Sequence, residues 1–335
     1  MSPTTSEQTA EPAASGAAPV ERQSVSQRLA SFTGWSEWAA PIGLLVLVIV
    51  FQILNSTFLS LGNIEAMLAA AAILILLSVG QTFVVATGGI DLSIASTMTL
   101  SAVMFGVGYG ADWSIFLCCL LAVVTGSLFG LLQGVIIGRG KITDFIVTLG
   151  GLSVASGLAL VISDGQPVTV ISRFMLRLST DGIGIIGWPV IVALVVALIF
   201  HGVLFHTRFG THVLAAGGSE DAARATGISI ARIKTAVYTV AGIMAGLAAI
   251  LLVARVGAAE PAANTQFLLN SVAAVVLGGV SLVGGRATIW SPVCGALLLT
   301  ALTNGLTLLG VSQYYQPIAV GGVVVLAALL ARFQK

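Results

Sequence analysis

Charge is scarce in this chain. Only 8% of its residues are Asp, Glu, Lys or Arg, against 57% hydrophobic, and the net charge is +1. No basic surface is left to hold nucleic acid. There are three cysteines, Cys118, Cys119 and Cys294, each within an apolar run. They read as small reduced packing residues, not as a disulfide frame or a metal site. The signatures of hydrolases are missing as well. There is no HExxH and no GxSxG. His201, His206 and His212 crowd the end of one apolar run without carboxylates beside them inside the membrane. The nearest approach to a phosphate-cradling P-loop is Gly140-Lys141-Ile142. Val135 stands where its first glycine belongs, and Ile142 where a Ser or Thr would hold the metal. No catalytic residue and no bound metal or cofactor is therefore assigned, and the chain is not read as an enzyme.

What the sequence does have is apolar length. The mean hydropathy is +1.05, and no soluble core could hide that much apolar surface. Each membrane span needs roughly 20 mostly apolar residues. Apolar runs fall at 39–54, 64–87, 92–107, 113–138, 142–162, 188–205, 233–254, 267–282, 288–309 and 315–331. The expectation is an all-α polytopic membrane protein with about ten transmembrane helices, some of them short or broken. Residues 1–37 are rich in Ala, Ser, Pro, Thr and Glu and read as a disordered cytoplasmic tail, leaving 38–335 as the membrane domain. The cations test the alternation. With the N-terminus inside, Arg173, Arg177 and Arg255 fall outside, and all the others of the 14 Lys and Arg fall inside. Both termini are then cytoplasmic. Loop 163–187 faces out, and loop 206–232 faces in.

Glycine is placed with a pattern. Gly126, Gly130, Gly134 and Gly138 recur every fourth residue, on one face of a helix, where missing side chains admit a second helix. Gly242 and Gly246 repeat the spacing. This fits tight packing within one subunit, a dimer seam or a moving contact. Two glycine breaks also look alike, VVATGGIDLS with Gly88 and Gly89, and VVLGGVSL with Gly278 and Gly279. Paired breaks of this kind accompany internal repeats beside a transport path.

Polar groups at membrane depth are few: Gln81, Asp91, Gln133, Asp144, Gln266, Asn270 and Asn304. Such groups serve either a pathway or interhelical hydrogen bonds. Asp91 and Asp144 stand at helix starts and read as caps. Gln81, Gln133, Asn270 and Asn304 are the candidates for a translocation path. Amides suit an uncharged polyol, and the energy source must then lie on another chain. A self-contained ion-coupled carrier is disfavoured by the lack of mid-span carboxylates. A membrane scaffold leaves the broken spans unexplained.

One polar island interrupts the apolar chain, AAGGSEDAARATGISIARIK, residues 215–234. Ser219 can cap a short helix whose first turn holds Glu220 and Asp221, the favourable end for anions. Ala222, Ala223 and Arg224 follow, and Gly227 can end the helix in a left-handed turn.

This island resembles the cytoplasmic loop of ABC importer permeases of the ribose/xylose/arabinose type. The resemblance extends through VGQTFVVATGGIDLSIAS (79–96), DFIVTLGGLSVASGLAL (144–160), SVAAVVLGGVSLVGGRATIWSPVCGALLL (271–299) and LTNGLTLLGVSQYYQ (302–316). It implies a sugar-import permease of the bacterial inner membrane, working as a homo- or heterodimer. An ATP-binding subunit, carrying ATP and Mg, would dock at Gly217, Gly218, Ser219, Glu220, Asp221, Ala222, Ala223, Arg224 and Gly227. A periplasmic binding protein would deliver the solute and meet Arg173 and Arg177. Three departures leave the solute open: Leu268 and Asn270 where an acidic pair is frequent, Thr143-Asp144 where small residues or proline are common, and Gln133 where Asn is frequent. Nucleosides, branched-chain amino acids and quorum-sensing sugar derivatives are the other solutes implied.

Overall fold

The structure, a computed structural model, describes residues 35–262 and 265–332. Residues 1–34, most of the expected tail, lie outside the described residues, as do three of the inward cations, Arg22, Arg28 and Lys335. The described chain is a bundle of helices: α1 (Trp35–Leu54), α2 (Leu61–Ala86), α3 (Ile94–Gly110), α4 (Ile115–Gly140), α5 (Asp144–Ile162), α6 (Arg173–Thr180), α7 (Trp188–His206), α8 (Arg208–Gly218), α9 (Glu220–Ala225), α10 (Ile230–Val256), α11 (Thr265–Leu277), α12 (Trp290–Leu308) and α13 (Gln316–Arg332). Six of these, α2, α4, α5, α7, α10 and α12, are long and apolar enough to cross a membrane. Four shorter apolar helices lie within α1, α3, α11 and α13.

Burial sorts them. The apolar window of α2 is 83% buried and that of α10 61%, against 22% for α4 and 17% for α5. So α2 and α10 form the centre with α3, whose residues are nearly all buried. α4, α5 and α7 turn Leu, Ile, Val and Phe side chains outward. In a chain of this hydropathy those outward faces meet lipid. Some buried hydroxyls within the centre are satisfied locally, while Ser78 and Ser101 Oγ have no hydrogen-bond partner among the described residues. Thr82 and Thr99 donate to backbone carbonyls one turn back, at 2.7 and 3.2 Å.

The glycine stripe of α4 packs against α10 inside one subunit. A methyl group on Gly134 would stand 2.7 Å from Thr235 Cα, and one on Gly246 the same distance from Val123 Cα. Both stripes therefore serve a single seam, in which Thr235 Oγ1 donates to Gly134 O at 3.2 Å.

The connections gather at two ends. At one, Tyr109 donates to Ile171 O at 2.7 Å and Asn55 to Leu308 O at 3.1 Å. The connection between α5 and α7 is not wholly helical, as an all-α reading expects. It holds a two-residue strand β1 (Val168–Thr169) and a small hairpin, β2 (Gly182–Ile183) with β3 (Ile186–Gly187). β1 pairs antiparallel with β4 (Ala258–Ala259), Val168 opposite Ala259. The pairing satisfies backbone groups where extended chain covers the helix ends. The opposite end carries the island and both glycine breaks.

Candidate functional site

The apolar run expected over 267–282 is not one helix. It stops at Leu277, and the stop matches the end of α2 bond for bond. Gly88 N–H donates to Val85 O at 2.8 Å and Gly89 N–H to Val84 O at 3.2 Å. Gly279 N–H donates to Val276 O at 2.9 Å and Val280 N–H to Val275 O at 3.2 Å. Gly88 and Gly279 take φ of +73° and +72°. This is the glycine-ended Schellman turn, which needs the left-handed region that a Cβ disfavours. The two breaks are thus one local structure used twice.

The tertiary fold brings the two broken segments together under the island. Gly285 N–H donates to Ala86 O at 3.0 Å. A methyl group on Gly284 would stand 2.8 Å from both Gly88 N and Gly217 O. The end of α8 therefore rests on both segments, backbone against backbone. The sequence did not reveal α8, because Gly210, Gly217 and Gly218 dilute its pattern. Thr207 starts it by accepting from Gly210 N–H at 3.3 Å.

The short helix expected after Ser219 is present as α9. Ser219 Oγ accepts from Ala222 N–H at 3.3 Å, and Gly227 follows at φ +86°. Glu220 and Arg224 pair at 3.0 Å across one turn, both about half exposed. Ala223 is buried, so α9 holds the body with its alanine and turns its charges outward.

Lys234, the last residue of the polar island, does not face solvent. It is buried, and its Nζ donates to Asp144 Oδ2 at 2.7 Å and to Thr87 O at 3.3 Å. Asp144, expected to act as a helix cap, is instead the partner of that cation. A cavity of about 600 Å³ opens beside the pair, with Gly88, Asp144, Gly217, Glu220 and Lys234 in its wall. Asp91 is not the cap of α3 either, since Ser93 occupies that position. Asp91 Oδ1 accepts from Ser93 N–H at 2.8 Å and from Ser93 Oγ at 2.6 Å, an Asx turn in the connection before α3. Burial pushes the Asp91 carboxyl up to about 6, opposed in part by those bonds from Ser93.

The four path candidates fall in three places. Gln133 Nε2 donates to Ser93 Oγ at 2.8 Å, tying α4 to the start of α3. Gln81 lies fully buried in α2, its amide atoms without a hydrogen-bond partner among the described residues. Asn270 and Asn304 both line a cavity of about 340 Å³ that opens between α2, α10, α11, α12 and α13, at the end opposite the island. Arg255, Gln266, Thr303 and Gln316 stand in the same wall. Asn304 exchanges two 2.9 Å amide bonds with Asn63. Arg255 and the threonines were not singled out from sequence. The signal was the spacing of Thr300, Thr303, Asn304 and Thr307, which share one face of α12.

Arg173 and Arg177, on α6 at this same end, are exposed and make no ion pair among the described residues. Of the apolar residues beside them, Met175 is buried while Ile171 and Phe174 are exposed.

Residues 63–330 match the family described as branched-chain amino acid transport system / permease component. The chain is 38% identical to the ribose import permease protein RbsC of Bacillus subtilis, over 93% of this chain and 98% of that one. It is 36% identical to RbsC of Escherichia coli, over 92% and 98%. It is 33% identical to the L-arabinose ABC transporter permease protein AraH of Azospirillum brasilense, over 87% of each. The chain belongs to the ABC importer permeases of the monosaccharide type. It is a multi-pass permease of the inner membrane, and its six long apolar helices are the corresponding structural feature. No solved structure matches the permease closely enough for comparison.

Proposed function

We propose that this chain is the membrane subunit of an ATP-driven importer that carries a monosaccharide or related polyol. The observation that carries the reading is the end-to-end match to permeases named for ribose and arabinose import. The polar outer cavity, with Asn270 and Asn304 in its wall, supports it, because amides exchange hydrogen bonds with hydroxyl groups without requiring charge. Gln81 and Gln133 complete the proposed path.

The chain crosses the membrane ten times with both termini inside, and residues 38–335 form one transmembrane domain. The six long and four shorter apolar helices support that count, as does the gathering of the island and both glycine breaks at one end. Two permease copies, identical or different, form the working unit. A separate ATP-binding subunit, holding ATP and Mg, docks on residues 217–227. A periplasmic binding protein docks on the outer loop around Arg173 and Arg177. The coupling follows from linkage. ATP can drive the permease only if the ATPase interacts differently with its inward- and outward-facing states. A helix resting on two glycine-broken segments is suited to transmit that difference.

The family description favours a second reading, the same architecture serving a branched-chain amino acid. A nucleoside or a quorum-sensing sugar derivative would use the same parts. One experiment separates them. The chain is tagged and solubilised gently from native membranes, the copurifying ATPase and binding protein are identified, and that binding protein is titrated with pentoses, hexoses, nucleosides and leucine. Binding of a sugar alone supports the sugar reading. Binding of leucine alone replaces it. A chain that comes out without an ATPase, and takes up solute on an ion gradient, overturns the importer.

A further inference from the structure

The outer cavity has a chemistry that goes beyond the two amides read from sequence. The side chains of Arg255, Gln266 and Asn270 form no hydrogen bond or ion pair among the described residues, yet all three stand in its wall. The α12 part of the wall is differently arranged. Thr300, Thr303 and Thr307 each donate to a backbone carbonyl of α12, at 2.8, 3.1 and 2.8 Å. Their donors are spent; Thr307 Oγ1 already accepts from Gln316 Nε2 at 3.0 Å, and the Thr300 and Thr303 oxygens remain as acceptors. One side of the cavity therefore offers free donors, led by a guanidinium, and the other offers hydroxyl acceptors. Phe267 adds an apolar surface, and among the described residues no Asp or Glu lines the space. At about 340 Å³ it falls within the range of small-molecule sites.

We propose that this cavity, lined by helices of a single subunit, is a solute subsite for an uncharged polyhydroxy ring. Arg255, Gln266 and Asn270 hydrogen-bond its hydroxyl oxygens, while the threonine oxygens accept from its hydroxyl protons. The proposal rests on the sugar reading above. The missing carboxylates exclude cationic solutes, and the guanidinium sets which ring hydroxyl faces α10. Arg255 also lies in the last turn of α10, where a cation suits the helix end. The test therefore has to separate binding from that structural role.

The complex copurified with its ATPase and binding protein is reconstituted in proteoliposomes, and uptake of D-ribose, L-arabinose, D-allose and leucine is compared. Arg255→Lys keeps the cation at the helix end but loses the planar fork. It is expected to change the ratio of ribose to allose uptake, while Arg255→Gln and Asn270→Leu slow ribose uptake about tenfold or more. Copurification of the ATPase must stay at the parent level. A second measurement does not depend on those variants. Thr303→Cys is labelled with a small thiol reagent added from outside, the parent's own reactivity is subtracted, and labelling is expected to slow when D-ribose saturates the complex. Wild-type uptake of sugars, with unchanged rates and sugar ratios in the variants and no protection at residue 303, overturns the subsite alone. Wild-type uptake of leucine and of no sugar overturns the sugar reading and the subsite together.

Discussion

Lys234 Nζ lies 2.7 Å from Asp144 Oδ2, joining the first turn of α10 to the first turn of α5. The same ammonium reaches Thr87 O at the end of α2, so one cation holds three helix ends beneath the island. Only 9% and 17% of the two side chains is exposed. Removing one partner leaves a buried charge unpaired, whereas replacing both with apolar groups removes that cost. Asp144→Asn is expected to destabilise the fold by about 3–5 kcal/mol, with Lys234→Met and Asp144→Leu together recovering most of it. Thermal unfolding in detergent measures this. A double variant no more stable than Asp144→Asn would show that the pair is not what holds the three ends.

The island makes a separate prediction. Glu220→Arg breaks the 3.0 Å pair with Arg224 and reverses a charge on the exposed face of α9. Gly227→Val forces a β-branched residue to φ +86°, a strain of about 1–3 kcal/mol. Both variants are expected to lower ATP-driven uptake while the binding protein keeps its affinity for solute. Undiminished uptake in both would remove the docking assignment.

The seam between α4 and α10 predicts a contrast among glycines. A methyl group on Gly134 meets Thr235 Cα at 2.7 Å, and backbone cannot yield as a side-chain tip can. Gly134→Ala should cost about 1–3 kcal/mol through the forced separation. On α5 the space beside Gly150 and Gly157 is open. There a change to Ala should stabilise the helix by about 0.5–1 kcal/mol in denaturation measurements. Equal effects at Gly134 and Gly150 would mean that the seam is not close-packed.

Asp91 predicts a dependence on pH. Its carboxyl is raised from 3.8 to about 6 by burial, so folding takes up a proton between those values. The sign follows. The charged form is disfavoured in the fold, and stability falls as pH rises through about 6. Between pH 7.5 and 5 the group should add about 1 kcal/mol. Asp91→Asn keeps an oxygen to accept both bonds from Ser93 and should flatten that part of the profile. The unfolding midpoint at the two pH values decides it, and an unchanged slope in the variant would assign the dependence to another group.

Much of the architecture was legible along the chain. Runs of apolar residues located the helices, since lipid exposure demands local backbone hydrogen bonding and an apolar surface from each span alone. The cap at Ser219 and the turn at Gly227 were legible for the same reason, being settled within a few residues. Gly278 was visible as a break, but a hydropathy run could not show that the helix ends there for good, because Val280 and Leu282 continue the apolar pattern. Asp144 looked like an ordinary helix cap, and Lys234 like one more charge of the polar island. They stand 90 positions apart, and no local pattern announces a pair at that separation.

The membrane solvent, the apolar helices, the short capped helix of the island and the family are written in contiguous residues and can be read along the chain. Which glycines touch, which cation is buried, and which polar groups share a cavity came from the fold. Those depend on the approach of helices distant in the chain. Gly134 against Thr235, Lys234 against Asp144, and Arg255 beside Asn270 in one cavity wall acquire their meaning from packing that no single segment specifies.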